Sequence, residues 1–370
     1  MRVDKTKWKK TTLSEVCNLY QPKTIAASSL DSTGKYLVYG ANGVIGTYNA
    51  YNHEYPEVLI TCRGATCGTI NISKPFSWIN GNAMVVHPKE ENIFDFTFLG
   101  KMVSAIDYSK VITGAAQPQI TRTNLQKVKI TIPTLLEQQA IASELDAIQT
   151  MIDGYKAQLE DLDALAQSIF LDMFGDPVSN PKGWEKGSLN KYASIGTGAT
   201  PSRKIVSYYE GDIPWVKSTE VHNSYIWETQ EHITKEAIDN SNCSIYLPDT
   251  ILVAMYGQGK TRGQVGLLRI KAATNQACAA IQCKDSLNPT FCYWHFQMCY
   301  EANRELGNGT NQKNMNLTIV GNIKFIIPPL SLQQEFAFKI ESIEKQKELI
   351  CKQLEDAKTM MAERMQYYFS

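Results

Sequence analysis

Val128–Glu160 reads VKITIPTLLEQQAIASELDAIQTMIDGYKAQLE, and Ile323–Glu355 reads IKFIIPPLSLQQEFAFKIESIEKQKELICKQLE, the same pattern displaced by 195 positions (323 − 128). A register held over so long a stretch marks an internal duplication. Further out, Gly64, Thr66 and Gly68 fall on Gly259, Thr261 and Gly263, and Asn80 falls on Asn275, at the same offset. Trp8 and Leu13 fall on Trp184 and Leu189 at an offset of 176, so the second copy carries 19 extra residues (195 − 176) between those points. The order is head, helix, head, helix. Two similar readers on one axis suit a partner that is itself nearly two-fold, and duplex DNA is the commonest such partner.

The quoted stretch decides the helices. From Ile141 the apolar positions run Leu145, Ile148, Ile152, Tyr155, Leu159, Leu162, Ala166 and Ile169, in steps of four and three that make a coiled-coil seam. Thr134 with Glu137 forms a capping box after Pro133, and Phe174-Gly175-Asp176-Pro177 supplies the stop. At about 1.5 Å per residue, roughly 40 residues give an arm on the order of 60 Å. The second arm has Ser331 and Gln334 as its expected box, then Phe336, Ile340, Ile343, Ile350, Leu354 and Met361 on the equivalent seam, interrupted by Lys347 and Arg364. Those cations either snorkel at the edge of the pair or mark a docking point for another subunit. Two matching seams in one chain satisfy each other as an antiparallel pair. The same seams also allow pairing between chains, so a homodimer of the isolated protein is an alternative.

The segments outside the arms read as β-rich heads. Short apolar runs broken by Gly, Asn and Pro predict strands at Tyr36–Tyr39, Val58–Ile60, Ile213–Val216, Ile251–Val253 and Val265–Leu268. The expected fold class is therefore α+β: two β-rich domains in pseudo-two-fold repeat, separated by two long helices that pair as an antiparallel coiled coil. The boundaries are head 1–132, arm 133–175, head 176–327 and arm 328–370. The repeated glycine loops, Cys62–Gly68 and Tyr256–Gly263, let backbone approach a ligand, and Arg63, Lys260, Thr261 and Arg262 bring donors for phosphate or base edges. A hairpin turn with solvated charges is the plainer reading of the same residues. Gly259-Lys260-Thr261 resembles the end of a P-loop, but Ala254 stands where the first glycine belongs, and a strand-like run follows where a helix is required.

Formal net charge is zero, which at first argues against a phosphate-binding protein. The distribution reverses that. Residues 1–132 hold 15 basic and 9 acidic side chains and residues 176–327 hold 15 and 13, while residues 133–175 hold 1 and 8 and residues 328–370 hold 6 and 7. The heads sum to +8 and the arms to −8, as expected of heads that touch DNA and arms that touch protein. No apolar run is long enough for a membrane span, and the N-terminus lacks the core of a signal peptide, so a cytoplasmic protein is expected. The nine cysteines form no C-x-x-C pair and read as buried thiols, and the five histidines show no metal-ligand spacing. No nucleophile elbow, zinc-protease or adenine-methyltransferase motif appears, so the chain reads as a recognition protein without chemistry of its own.

At these residues the chain resembles the specificity subunits of type I restriction-modification enzymes. The motif words are Tyr39–Gly43, Leu59–Gly68, Gly211–Lys217, Gly257–Gly263, Asn275-Gln276-Ala277, and the Gln-containing arm entries at Leu135–Gln139 and Pro329–Gln334. The resemblance spans nearly the whole chain. It implies that each head reads one half of a split, asymmetric target in double-stranded DNA, that the arms bind two adenine methyltransferase subunits, and that motor-nuclease restriction subunits join the assembly. S-adenosylmethionine, ATP and magnesium then belong to the partners, and this chain is expected to hold no cofactor or metal of its own. Base-reading positions differ from one target to the next, so the residue choices are chemical. They are Asn42, Arg63, Thr66 and Gln117 in the first head, and Arg203, Lys204, Lys217, Gln258, Lys260, Arg262, Gln276, Lys313 and Asn314 in the second. The partner-facing and helix-pairing seam comprises Ile141, Leu145, Ile148, Ile152, Leu159, Leu162, Ile340, Ile343, Ile350 and Leu354. Asn80 and Asn275 are set aside as structural, because a base reader need not be shared between halves. A coiled-coil scaffold that binds only proteins is the competing reading, and salt-sensitive DNA affinity separates the two.

Overall fold

A computed structural model describes residues 3–114, 117–257, 260–306 and 314–370. It resolves into two compact units, Met1–Lys156 with Lys352–Ser370, and Ala157–Cys351. Each unit is one head together with part of both arms.

In the first unit, Lys9–Thr12 pairs antiparallel with Lys129–Ile132 and closes the head at its root. The main sheet has the order Cys17–Tyr20, Ala83–Pro88, Val58–Thr61, Ile70–Ile72, antiparallel throughout. Val58–Thr61 is buried on both faces, which explains why it reads as a continuous apolar run without alternation. A smaller sheet holds Val44–Tyr48, Tyr36–Tyr39 and Trp78–Ile79, the last two parallel. The helix Phe96–Ser104 presses Phe98, Leu99, Met102 and Val103 onto the main sheet, in one core with Ile141, Leu145 and Tyr368 of the arms.

The second unit repeats this plan and adds to it. Lys186–Ser188 pairs with Lys324–Ile326 at the root. The main sheet runs Ala193–Thr197, Cys278–Cys283, Ile251–Ala254, Val265–Leu268, and then a fifth strand, Ser224–Ile226, parallel to its neighbour. The parallel pair of the small sheet recurs as Ile213–Val216 beside Ala272–Thr274. Sixteen of the extra residues, (251 − 216) − (58 − 39), fall between the Ile213–Val216 and Ile251–Ala254 strands. They build the edge strands Ser224–Ile226 and Ile245–Tyr246 and the short helix Lys235–Asp239.

Both arms are 40-residue helices, Leu135–Phe174 and Leu330–Phe369. In the first unit, Glu144 near the start of one helix meets Arg364 (3.0 Å) and the Tyr368 hydroxyl (2.7 Å) near the end of the other. In the second unit, Phe170 and Phe174 pack on Phe336 with ring centroids 5.4 Å apart, and Lys347 pairs with Asp163 at 2.8 Å. The helices thus run antiparallel in each unit. Ile141, Leu145, Ile148, Ile152, Ile340, Ile343 and Leu354 are buried, and Leu159, Leu162 and Ile350 are partly buried. Each fully buried Leu or Ile stabilises the pair by roughly 1.5–3 kcal/mol. Lys347 and Arg364, the two cations that interrupt the seam, are each matched by a carboxylate of the partner helix.

The helix ends differ in a way the sequence pattern misreads. Thr134 and Glu137 form the expected capping box, the Thr134 N–H donating to Glu137 Oε2 at 3.0 Å. Gly175 closes the first arm with φ +75° and donates its N–H to the Leu171 carbonyl. Ser331 is not a cap: the second arm begins at Leu330, so Ser331 already lies in the first turn and Pro329 takes the position of Thr134. What the two arm entries share is a buried glutamine. Gln138 accepts from the Asp95 N–H (2.9 Å) and donates to the Ile93 and Pro133 carbonyls (3.0 Å each). Gln333 accepts from the Asn288 N–H (2.9 Å) and donates to the Pro328 carbonyl (2.9 Å). Asp95 and Asn288 are themselves the N-caps of Phe96–Ser104 and Pro289–Met298, so one amide locks arm, root and cap helix together in each unit.

His295 marks a difference at that root. It is fully buried, lies flat on Phe325 at 3.8 Å, and accepts the Ile326 N–H through Nε2 (3.2 Å). Burial pushes its pKa down to about 3, so the ring is neutral.

Candidate nucleic-acid interface

Three loops meet at one end of the main sheet in each head, and their backbone bonds correspond pair by pair. In the first head, Gly68 donates to the Thr61 carbonyl, Thr69 to the Thr66 carbonyl, Cys62 to the Asn82 carbonyl and Ile120 to the Cys62 carbonyl. In the second, Gly263 donates to Ala254, Gln264 to Thr261, Met255 to Ala277 and Met315 to Met255. Gly68 and Gly263 sit at φ +91° and +85°, and a Cβ there would press on Tyr108 (3.2 Å) and Arg304 (3.0 Å), so their repetition is conformational. Asn80 and Asn275 do equivalent work: their N–H groups donate to the Tyr39 and Val216 carbonyls, and their carbonyls accept from Ala83 and Cys278. The second glycine loop is two residues longer, nine steps from Ala254 to Gly263 against seven from Thr61 to Gly68.

The first-head candidates gather at this end. The buried Thr61 hydroxyl donates to the Ala41 carbonyl (2.6 Å), fastening the Ala41–Gly43 turn that carries exposed Asn42, whose Oδ1 accepts from Asn71 (3.0 Å). Arg63 forms a bridge with Gln119, and Gly64 donates to the Pro118 carbonyl, which brings Gln117 beside the Arg63–Thr66 loop. Arg63, Thr66 and Gln117 are exposed, and Arg63 has no ion pair among the described residues. Gln119 is an exposed neighbour that motif reading missed; only its pairing with Arg63 and Thr113 reveals it.

The second-head candidates are more constrained. Gln258 and Lys313 lie outside the described residues. Lys260 is exposed, and its carbonyl accepts from the Tyr300 hydroxyl. Arg262 is drawn inward and donates to the Arg304 carbonyl (3.3 Å). Asn314 is half-buried, its Oδ1 without a hydrogen-bond partner among the described residues. The strand Val265–Leu268 follows this loop, so no helix N-terminus stands ready for a nucleotide phosphate. Gln276 is exposed and its Oε1 accepts from the Thr200 hydroxyl (2.5 Å).

Arg203 and Lys217 converge on a residue the sequence did not single out. Lys217 Nζ donates to Glu231 Oε1 at 2.7 Å, and Arg203 Nη1 forms an ion pair with Oε2 at 2.6 Å. The Arg203 guanidinium sits over the Tyr209 ring at 4.0 Å and near Trp215 at 5.2 Å. Arg203, then Lys217, hold the Glu231 carboxyl below its usual range. Lys204 is exposed and carries no ion pair among the described residues. No group of three or more His, Cys, Asp or Glu positioned for a metal occurs among the described residues, and none of their helices is long and apolar enough to cross a membrane.

The type I restriction modification DNA specificity domain model matches this chain twice, over residues 5–163 and 181–358. The chain belongs to that family. Among specificity subunits, it is 24% identical over 330 residues to the MjaIX subunit of Methanocaldococcus jannaschii, covering 81% of this chain and 75% of that one. To the EcoprrI specificity subunit of Escherichia coli it is 26% identical over 155 residues, 41% of this chain and 38% of the relative. In fold it resembles the S subunit of a type I system from M. genitalium, with a TM-score of 0.66 over 100% of this chain and 98% of that one at 13% identity. A second solved chain, described under complex assembly and conformational transition of the type I R-M system, gives a TM-score of 0.59 over 98% of this chain and 97% of that one at 15% identity. The duplication thus corresponds to two specificity domains.

Proposed function

We propose that each head reads one half of a bipartite, asymmetric DNA target, and that the paired arms dock two adenine methyltransferase subunits, to which motor-nuclease restriction subunits are added. The observation that carries this reading is the contrast at the loop ends: the backbone bonds repeat from head to head, while the side chains mounted on them do not. Arg63 and Gln119 stand on one scaffold, Asn314 and Gln276 on the other. A shared frame with unshared polar edges is what two different half-sites require, since phosphate contacts fix position and base contacts specify sequence. The basic heads and acidic arms support the same division of labour. In this reading the chain is not itself an enzyme. Methyl transfer, ATP hydrolysis and their S-adenosylmethionine, ATP and magnesium reside in the partners, and the complex works in the cytoplasm, where host DNA is.

Co-expression with the cognate methyltransferase in a methylation-free host, followed by direct mapping of N6-methyladenine, tests this. The expected result is one split motif with a methylated adenine in each half, on opposite strands. An assembled, cofactor-loaded complex that leaves the DNA unmethylated, and binds it without salt dependence, would overturn the reading. For Arg63→Ala, a base contact loses about 1–3 kcal/mol at one base position, whereas a phosphate contact weakens all sequences alike and lowers the salt slope.

A further inference from the structure

The loop Gly198–Lys204 of the second head is clamped from several sides. Trp215 Nε1 and Cys243 Sγ donate to the Ala199 carbonyl (3.1 and 3.0 Å), the Tyr209 hydroxyl donates to the Pro201 carbonyl (2.6 Å), and Thr200 bonds Gln276. Gly198 passes so close to the next strand that a Cβ would lie 1.6 Å from the Thr274 carbonyl oxygen. The loop is thereby fixed to the turn that carries Gln276 at the recognition end. Arg203 projects from it, half-exposed, over the face of Tyr209.

Glu231 completes the arrangement from the inserted segment. Its backbone carbonyl accepts the Trp215 N–H (2.9 Å), which anchors it to the small sheet, and its side chain faces Arg203 and Lys217 together. One carboxylate between two cations leaves the trio with a net charge of +1. A guanidinium stacked on an aromatic ring and held by a nearby carboxylate has lost most of its rotamer freedom before any ligand arrives. Glu231 meets the guanidinium through Nη1, at 2.6 Å, so the Nε and Nη2 edge of the planar fork is not consumed by that contact. Such a fork matches the O6 and N7 acceptors of guanine in the major groove. At the corresponding positions the first head has Ala27 and Gly40 (203 − 176 and 217 − 177), so the device belongs to the second head alone.

We propose that Glu231 is a positioning residue for sequence specificity: with Tyr209 it fixes the Arg203 guanidinium so that Arg203 reads a guanine in the half-site of the second head. This rests on the DNA-reading role proposed above. The test uses the full chain, as wild type, Glu231→Gln and Arg203→Lys, each co-expressed with the methyltransferase partner, with methylated sites mapped genome-wide and the melting temperature of each complex measured. Both variants are expected to keep the half-site of the first head and to relax the same single position of the other half-site, by about 10- to 100-fold in discrimination. Glu231→Gln is isosteric; should it nevertheless unfold the head, Arg203→Lys carries the same prediction without touching the carboxylate. An unchanged motif in both variants overturns the proposal, as does relaxation at two different positions, which would make Glu231 a reader in its own right. Uniform loss of methylation from a complex that melts like wild type assigns the trio to phosphate binding and equally overturns it. A wild-type complex that methylates no split motif sinks the DNA-reading role itself, an outcome distinct from all of these.

Discussion

The first head leaves Arg63 in solvent with no counter-charge among the described residues, while the second seats Arg203 on Tyr209, faces it with Glu231, and folds Arg262 back onto the Arg304 carbonyl. The backbone beneath is the same. The difference comes from the residues inserted after Ile213–Val216, which supply Glu231 and the edge strands, and from a glycine loop two residues longer. Duplication preserved the frame; insertion decided how firmly the cations are held. An exposed arginine adapts at an entropic cost on binding, whereas a pre-seated one discriminates more sharply because less freedom remains to be lost.

The largest expected contrast between the heads is at their glycines. Gly198→Ala drives a Cβ into the Thr274 carbonyl and should destabilise the second head by about 4 kcal/mol, seen as lost amide protection across Ala193–Thr197 and Cys278–Cys283. Gly64→Ala meets no atom within 4 Å and carries only the strain of φ +87°, about 1–2 kcal/mol. Equal effects would remove the claim that the Gly198–Lys204 loop is clamped more tightly than the Arg63–Thr66 loop of the first head.

Acid separates the heads next. His295 is held neutral with a folded pKa of about 3 against 6.5 when unfolded, so the unfolded state takes up the proton first as pH falls. Its contribution is complete above pH ~6.5 and is lost progressively below it, amounting to about 2–3 kcal/mol by pH ~4.5. Met102 holds the corresponding place in the first head (295 − 193, the spacing of Asn288 and Asp95) and does not titrate. Hydrogen exchange against pH should show the second root loosening first, and His295→Met should abolish that difference.

The arm entries should behave alike. Gln138→Met and Gln333→Met each strand buried backbone groups and should cost about 2 kcal/mol, slightly more at Gln138, which makes one further bond. A large disparity in melting temperature would show that the two roots are not equivalent. The smallest effect lies in the arms, where Gly154 occupies the place of Leu349. A Cβ there meets nothing, so Gly154→Ala should raise stability by about 0.5–1 kcal/mol in thermal unfolding.

The arms were legible because their information is local: heptad spacing, the Thr134 box and the Gly175 stop all act within a few residues of each other. Ser331 misled because the same local rule was applied where Pro329 had displaced the cap, and the shared determinant, Gln138 and Gln333, acts on residues 43 and 45 positions away. Repetition of that glutamine at a fixed offset was the available signal. The strands were visible as apolar runs, but the parallel pairings of Tyr36–Tyr39 with Trp78–Ile79 and Ile213–Val216 with Ala272–Thr274 span long separations that no local pattern encodes. The candidate recognition residues stand out in the sequence only as lone donors. Their partners Glu231, Thr200 and Gln119 are brought in by irregular segments, and Tyr209 by the short 3-10 helix Val206–Tyr209, and charge type alone does not reveal which cations are already matched.

The first unit also joins residues 364 and 365 positions apart: the Val3 N–H donates to the Tyr367 hydroxyl, and Lys5 reaches the Ser370 carbonyl while lying over the Tyr367 ring. On the ribosome this has an odd consequence. Residues 157–351 form a contiguous unit that emerges whole, whereas the unit begun at the N-terminus lacks its second helix until Lys352–Ser370 has been made. At ~5–20 residues per second, that interval is roughly 10–40 s. Throughout it the faces of Ile141, Leu145 and Phe98 that await Tyr368 and Phe369 stay open, so of these two units the one begun earlier is completed later.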